Sequence, residues 1–370
     1  MNYAPRGKSK PVCNRGDFVF AAVALDHGHI YGQCNGLIEA GAELRYVYDP
    51  DPQKMEQFCK TYPHVQCASS LNAILDDPEI KLVAAAAIPN ERGPLGIKVM
   101  NSGKDYFTDK TPFTDLDQLS EARQTVQKTG CKYMVYYSER LHVESAVHAG
   151  QLIQEGAIGK VVQVLGLGPH RLSAASRPSW FFKKRQYGGI LADIGSHQIE
   201  QYLFYSGAKD AVVTHAATGN FNNPDYPELE DYGEATLLGD NGTRNFYRVD
   251  WLTPDGLGSW GDGRTIILGS KGYIELRKYI DIARSVEGEN VYLVTDQEET
   301  LLNVKGKVGF PFFGELILDC LNRTEIAMTQ EHAFKAAELC LKCQAYADQE
   351  KPGDNRLRGM READTLFCGK

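Results

Sequence analysis

The chain has 370 residues, too many for one small domain, so two domains are the expected organisation. Hydrophobic residues make up 42% and charged residues 24%, which excludes wholesale disorder and supplies apolar surface for two cores. The formal net charge of -8 argues against nucleic acid as a partner, and the longest apolar runs, Phe18–Leu25 and Leu82–Pro89, are too short to span a membrane.

Arg6, Lys8, Lys10 and Arg15 precede the first apolar run in loose imitation of a signal peptide, but no small-residue cleavage site follows. The nine cysteines are odd in number and scattered. Cys340 and Cys343 form a C-x-x-C with no second pair at zinc-ribbon spacing; inside the helical pattern of 331–348 they read as two buried thiols on adjoining turns. A reducing cytoplasm is the expected location.

The first 138 residues alternate strand and helix. Strands are expected at Phe18–Leu25, Glu43–Asp49, Leu82–Ile88, Asp105–Thr108 and Lys132–Tyr137, with helices near 29–40, 51–61, 91–102 and 115–129. Thr114, followed three residues on by Asp117, predicts the N-cap of the last helix. Such alternation means βαβ units, right-handed crossovers and a doubly wound parallel sheet. From 139 to 370 the rhythm changes. Helices near 144–155 and 190–205 flank a strand at Lys160–Leu167. The stretch 211–304 then runs mostly as strands joined by short turns such as Asp240-Asn241-Gly242, which predicts a largely antiparallel open sheet. The final helices, 312–322 and 330–347, are placed to pack back on the first domain.

The run from Val19 to Gly32 reads as strand, tight turn and helix start, the form of a dinucleotide site whose pyrophosphate rests on a helix N-terminus. Only Gly28 matches the G-x-G-x-x-G pattern, because Asp26 and Tyr31 stand where the other glycines belong. Gly28, Gly32 and Gly36 share one helix face, and Gly32 is placed for close helix–strand packing. Gly28, His29 and Ile30 are the candidate cofactor contacts of this turn. Asp49 ends the second strand, where a carboxylate accepts from an adenosine ribose and favours NAD over NADP; its alternative reading is a turn former ahead of Pro50. Asp26, His27 and His29 are too close in sequence to converge on one ion, so no metal site is expected.

Two stretches point to chemistry. A strand ends in Asp109-Lys110, and Gly188–Gln198 opens a helix that places Asp193 and His197 four residues apart on one face. Lysine, histidine and aspartate are what oxidation of a secondary alcohol requires: a base for the hydroxyl proton and a cation for the developing alkoxide. Trp180-Phe181-Phe182 and Arg185 read equally as a sugar-stacking wall or a core cluster, and Asn220–Asp231 as a loop bordering the same cleft.

These motifs resemble those of the glucose–fructose oxidoreductase / inositol dehydrogenase / MocA family. Asp109-Lys110 is similar to its E-K-P, Gly188–His197 to its G-G-x-x-x-D-x-G-x-H, Ile88-Pro89-Asn90 to its T-P-N, and Ile153–Gly159 to its linker motif, over nearly the whole chain. The resemblance implies a Rossmann domain (1–138) and a C-terminal α/β domain (139–370) whose open sheet forms the interface of a homodimer or homotetramer. It implies Lys110 as catalytic lysine, His197 as acid/base and Asp193 as the substrate-orienting neighbour. Pro89, Asn90 and Lys110 would line the nicotinamide side. Gly93 stands where the family usually has histidine, proline is displaced to Pro112, and Ser138 replaces an asparagine before Arg140. The expected activity is NAD-dependent oxidation of a secondary hydroxyl of a carbohydrate or cyclitol. A redox-neutral lyase, epimerase or glycosidase using bound NAD, and a non-catalytic sugar or nucleotide sensor, remain open alternatives.

Overall fold

The computed structural model describes residues 9–349. In the N-terminal part the chain runs β1 (Val19–Val23), α1 (His29–Glu39), β2 (Glu43–Tyr48), α2 (Pro52–Thr61), β3 (Gln66–Cys67), α3 (Leu71–Leu75), β4 (Ile80–Ala85), α4 (Pro89–Asn101), β5 (Asp105–Asp109), α5 (Leu116–Thr129) and β6 (Tyr133–Tyr136). All neighbours pair in parallel in the order β3-β2-β1-β4-β5-β6. The strand order reverses between β1 and β4, which opens a crevice beyond their carboxyl ends, the ligand site of doubly wound sheets. Strands β1, β5 and β6 are buried along their whole length, as expected for strands covered on both faces.

One local reading is corrected. The N-cap of α5 is Asp115, not Thr114: its carboxylate accepts from the Gln118 amide, while the Gln118 side chain returns to the Thr114 N–H. On the glycine face of α1, Gly36 is closely packed, where a Cβ would stand 2.3 Å from the Phe313 ring. The element pressed there comes from the far end of the chain, which local spacing does not reveal.

The second part continues with α6 (Ser138–Leu141), α7 (Glu144–Gln154), β7 (Val161–Pro169), α8 (Lys184–Tyr187), α9 (Ile190–Asp193), α10 (Gly195–Ser206), β8 (Ala211–Gly219), β9 (Tyr232–Gly239), β10 (Arg244–Asp250), β11 (Arg264–Gly269), β12 (Gly272–Arg277), β13 (Asn290–Thr295), β14 (Glu299–Asn303), α11 (Pro311–Asn322) and α12 (Gln330–Gln349). Its eight strands are ordered β14-β13-β12-β11-β7-β10-β9-β8, antiparallel except where β10 lies parallel to β7. The helix expected at 190–205 is two, α9 and α10, meeting at Ile194. It is entered through Gly188 and Gly189, whose φ of +89° and +94° favour glycine. Cys340 and Cys343 are both fully buried thiols on α12.

The helices lie on one face of the eight-stranded sheet. On the other, Leu165, Ile266, Leu268, Tyr273, Tyr292, Val294 and Leu301 are partly or largely exposed. Along β13, Val291 and Leu293 point into the core while Tyr292 and Val294 point out, so both faces carry apolar side chains. An apolar sheet face of this extent is expected to be covered by a second subunit. Sedimentation at micromolar concentration should give a dimer or tetramer; a stable species of monomer mass would contradict this.

Candidate active site

Strand β5 delivers Asp109 and Lys110 to the crevice. Asp109 is fully buried, and its Oδ1 accepts from His29 Nδ1 at 2.8 Å and from the Lys110 amide at 2.8 Å. Its Oδ2 lies 3.2 Å from both His27 Nδ1 and the Arg92 guanidinium. Burial alone would raise this carboxyl, but His29, Arg92 and His27 hold it well below the usual range. Arg92, from α4, also donates to the carbonyls of Ala87, Lys110 and Thr111, which ties the strand end to the helix.

Lys110 Nζ donates to Asp193 Oδ1 at 2.5 Å, joining the parallel-sheet part of the chain to the second part. Although burial opposes ionisation of Asp193, the Lys110 charge and hydrogen bond lower its pKa. Asp193 closes α9, and His197 stands in the first turn of α10. His197 is buried and its Nδ1 has no hydrogen-bond partner. Burial pushes its pKa down to about 3; Glu139 pulls the other way, while Lys110, His29 and His170 add to the depression. The ring is therefore neutral at physiological pH.

The expected trio is divided between two spaces that share two wall residues. Beside the Lys110–Asp193 pair, a gap of about 20 Å³ has room for a water molecule and is walled by Pro89, Arg177, Trp180, Phe181 and Trp251. Beside His197 lies a larger cavity of about 170 Å³, with Glu139, His142, Trp260 and Tyr279 in its walls. His29 and His170 line both. Trp180 and Phe181 thus line the cleft, Phe182 stacks on Tyr226 of the 220–231 loop at 3.8 Å, and Arg185 lines a separate surface groove.

Arg92, Glu139, His170 and Lys278 were not singled out from sequence. His170 directly follows β7, a strand-end position that could have drawn notice, and Glu139 lies between the two positions compared with the family pattern. Lys278 gives no such signal. It is a fully buried lysine that donates to Gln201 Oε1 at 2.6 Å and pairs with Glu139 at 3.3 Å, partners distant in sequence.

The structure also brings together donors that adjacency in sequence did not suggest. The ligand-type atoms of His27, His29 and Asp109 lie within 4.8 Å of one another. Asp26 takes no part in the group, because it pairs with Lys54 at 2.5 Å. The cation that the structure sets on Asp109 is Arg92.

The remaining cofactor candidates follow the carboxyl ends of β1, β2 and β4. Gly28 is the N-cap of α1, with no side-chain cap. Ile30 is buried in the core, so only its backbone borders the turn. Pro89 heads α4 and lines the cleft, while the buried Asn90 Oδ1 has no hydrogen-bond partner. That orphaned acceptor suits an amide donor such as a nicotinamide carboxamide. Asp49 is 2% exposed; its Oδ2 accepts from the Leu25 amide at 2.7 Å and its Oδ1 from the Asp51 amide at 2.8 Å. It therefore holds the turn, whatever else it contacts. The open switch point, the uncapped helix start and the unpartnered Asn90 Oδ1 fit a dinucleotide; the Asp26 charge is offset by Lys54.

Fold and site together define a Rossmann-based protein of oxidoreductase type. Residues 26–137 match the oxidoreductase family model with an NAD-binding Rossmann fold, and residues 147–275 match the GFO/IDH/MocA C-terminal domain. The chain belongs to the GFO/IDH/MocA family. It is 47% identical to a solved "putative oxidoreductase" from Erwinia carotovora atroseptica SCRI1043, covering 90% of this chain and 99% of that one with a TM-score of 0.87. Among curated proteins it is 24% identical over 149 residues to D-xylose dehydrogenase from Paenarthrobacter nicotinovorans, covering 39% of this chain and 38% of the relative. It is 25% identical over 239 residues to scyllo-inositol 2-dehydrogenase (NAD(+)) from Bacillus subtilis (strain 168), covering 63% and 66%. The chain thus spans 38% to 66% of the length of these two curated relatives.

The buried histidines predict an acid-sensitive fold. Burial lowers His142, His170 and His197 to about 3, 4 and 3, from an ordinary 6.5. Above the ordinary value they are neutral in both folded and unfolded chains. Below it the unfolded chain takes up protons that the folded chain does not, so stability falls as pH drops. The loss approaches about 1.4 kcal/mol per histidine per pH unit. Denaturant midpoints measured between about pH 7 and pH 5 should fall steeply, and His142→Gln should flatten the slope by about one proton. An unchanged slope in that variant would contradict the assignment.

Proposed function

We propose that the protein is an NAD-dependent oxidoreductase that oxidises a secondary hydroxyl of a sugar, cyclitol or sugar derivative. The observation that carries this reading is a neutral His197 with an unpartnered Nδ1, facing a ring-sized cavity that adjoins the Lys110–Asp193 pair. The names of the D-xylose and scyllo-inositol relatives support the substrate class.

The backbone at Gly28, His29 and Ile30, with Asp49, Pro89, Asn90 and Lys110, would hold the dinucleotide, which supplies the hydride acceptor when bound. His197 accepts the hydroxyl proton. Burial keeps the ring unprotonated across the neutral range, so a lone pair is present to take the proton, and its proton affinity must rise as substrate and the developing charge enter the site. Lys110 has three donors and gives one to Asp193, leaving others to stabilise the oxygen as it becomes an alkoxide. Asp193 fixes the lysine and orients the substrate. Asp109 anchors the strand end that carries Lys110, through its contacts with Arg92 and His29. A homo-oligomer in a reducing cytoplasm completes the reading, supported by the exposed apolar sheet face and by eight unbridged cysteines among the described residues.

Cofactor choice follows from charge. Asp26, Asp49 and Asp51 cluster around Lys54, which is already paired with Asp26, and Asp49 is the proposed partner of the adenosine ribose. A 2′-phosphate meets net repulsion there, so NAD should bind tighter than NADP in a direct titration. Equal or tighter NADP binding would mean that Lys54 answers the phosphate and Asp49 serves the turn alone.

The catalytic assignment is tested by substitution. Lys110→Ala and His197→Ala should each lower kcat and kcat/KM together, by about 10²–10⁴-fold, with much smaller effects on NAD affinity. The double variant should lose far less than the product of the singles, because the two groups act on one hydroxyl. Asp193→Asn should weaken substrate binding more than turnover. Wild-type turnover by Lys110→Ala on a confirmed substrate would overturn the mechanism.

A further inference from the structure

The cavity beside His197 contains polar groups that the protein itself leaves unsatisfied. His170 Nδ1 lies 3.1 Å from the Gly168 carbonyl, so that nitrogen carries the hydrogen and Nε2 of the neutral ring holds a lone pair. Nε2 stands 3.6 Å from Glu139 Oε1, a buried oxygen with no hydrogen-bond partner. Two acceptors therefore face each other, and a donor is needed to satisfy them. His142 Nε2, also unpartnered, and His197 Nδ1 lie on the same walls. Trp260 and Tyr279, with ring centroids 4.4 Å apart, supply an apolar surface suited to the C–H faces of a ring.

The charge pattern restricts the ligand further. Glu139 Oε2 is held by Lys278 at 3.3 Å and by Gln198 at 3.2 Å, while Oε1 is the oxygen without a hydrogen-bond partner in a residue that lines the cavity. Burial would raise Glu139, but Lys278, His197 and His170 pull its pKa down to about 2, so it is a carboxylate. A second carboxyl, Glu289, also lines the cavity. Among the described residues no lysine or arginine does; the neighbouring Lys110 belongs to Asp193. An anionic ligand would meet the Glu139 carboxylate at the wall, while the lysine that offsets it, Lys278, is not among the lining residues.

We propose that Glu139 is a specificity-determining residue that accepts hydrogen bonds from the hydroxyls of an uncharged, single-ring polyol and turns away sugars bearing a carboxylate or phosphate. This rests on the proposed function in taking the cavity as the substrate's place, but its test reads binding and not turnover. The full-length protein, with and without NADH, is titrated calorimetrically with neutral hexoses, pentoses and cyclitols, each paired with its uronate, aldonate or phosphate ester. At least one neutral member should bind, and its anionic counterpart should bind on the order of 100-fold more weakly. Anionic members binding as tightly as neutral ones, or no member of either set binding at millimolar concentration, would overturn the proposal. A neutral sugar that binds but is never oxidised would uphold this inference and remove the dehydrogenase reading. Glu139→Gln strands the buried Lys278 charge, so the combined Glu139→Gln, Lys278→Met variant keeps the site balanced. Once it is shown to be folded by its thermal midpoint, its neutral-over-anionic preference should drop at least tenfold; an unchanged preference would show that Glu139 does not set it.

Discussion

A buried carboxylate at the end of a parallel strand organises this molecule. Asp109 is fully enclosed, where an unpaired charge would be expensive, and it is stabilised by a guanidinium, two imidazoles and a backbone amide. The arrangement stitches α1, α4 and β5 together at the switch point of the sheet. It also fixes where the next residue emerges. Lys110 then crosses to Asp193, so the placement of a catalytic candidate and the join between the two parts of the chain depend on the same few atoms.

From that join outward the site divides by charge. On one side, ions are paired: Lys110 with Asp193, and Arg92 with Asp109. On the other, three histidines kept neutral by burial surround a cavity whose single strongly held carboxylate is compensated from behind by Lys278. A neutral base beside a compensated cation suits proton removal from an alcohol. The uncompensated acceptors further in suit hydroxyl groups and not anions. Placement of the larger cavity next to His197 lets both demands apply to one ring.

Much of this was legible in the sequence because it is local or periodic. The buried β strands are continuous apolar runs, the later strands are separated by turn dipeptides, and Lys110, Asp193 and His197 sit in motifs with definite spacing. Less was legible where a long-range partner decides the outcome. Gly36 is small because Phe313, from α11, lies against it. His27 and His29 looked like neighbours of Asp26, yet they turn to Asp109, eighty residues from His29, while Asp26 is claimed by Lys54. Glu139 and Lys278 are 139 residues apart and are brought together only by the fold. The short β3 and the edge strand β14 are missing from the sequence reading because two- to five-residue segments with exposed positions carry too little periodicity.

The central claim is that His197 and Lys110 serve net oxidation of a hydroxyl with NAD as acceptor. The most direct measurement is the amount of NADH formed when the purified protein is given excess NAD and a panel of neutral sugars and cyclitols. The account predicts that at least one of them yields many equivalents of NADH per protein chain, together with an equal amount of carbonyl product. A sugar that is consumed while NADH never exceeds one equivalent per chain, or a panel in which no NADH forms at all, would contradict it.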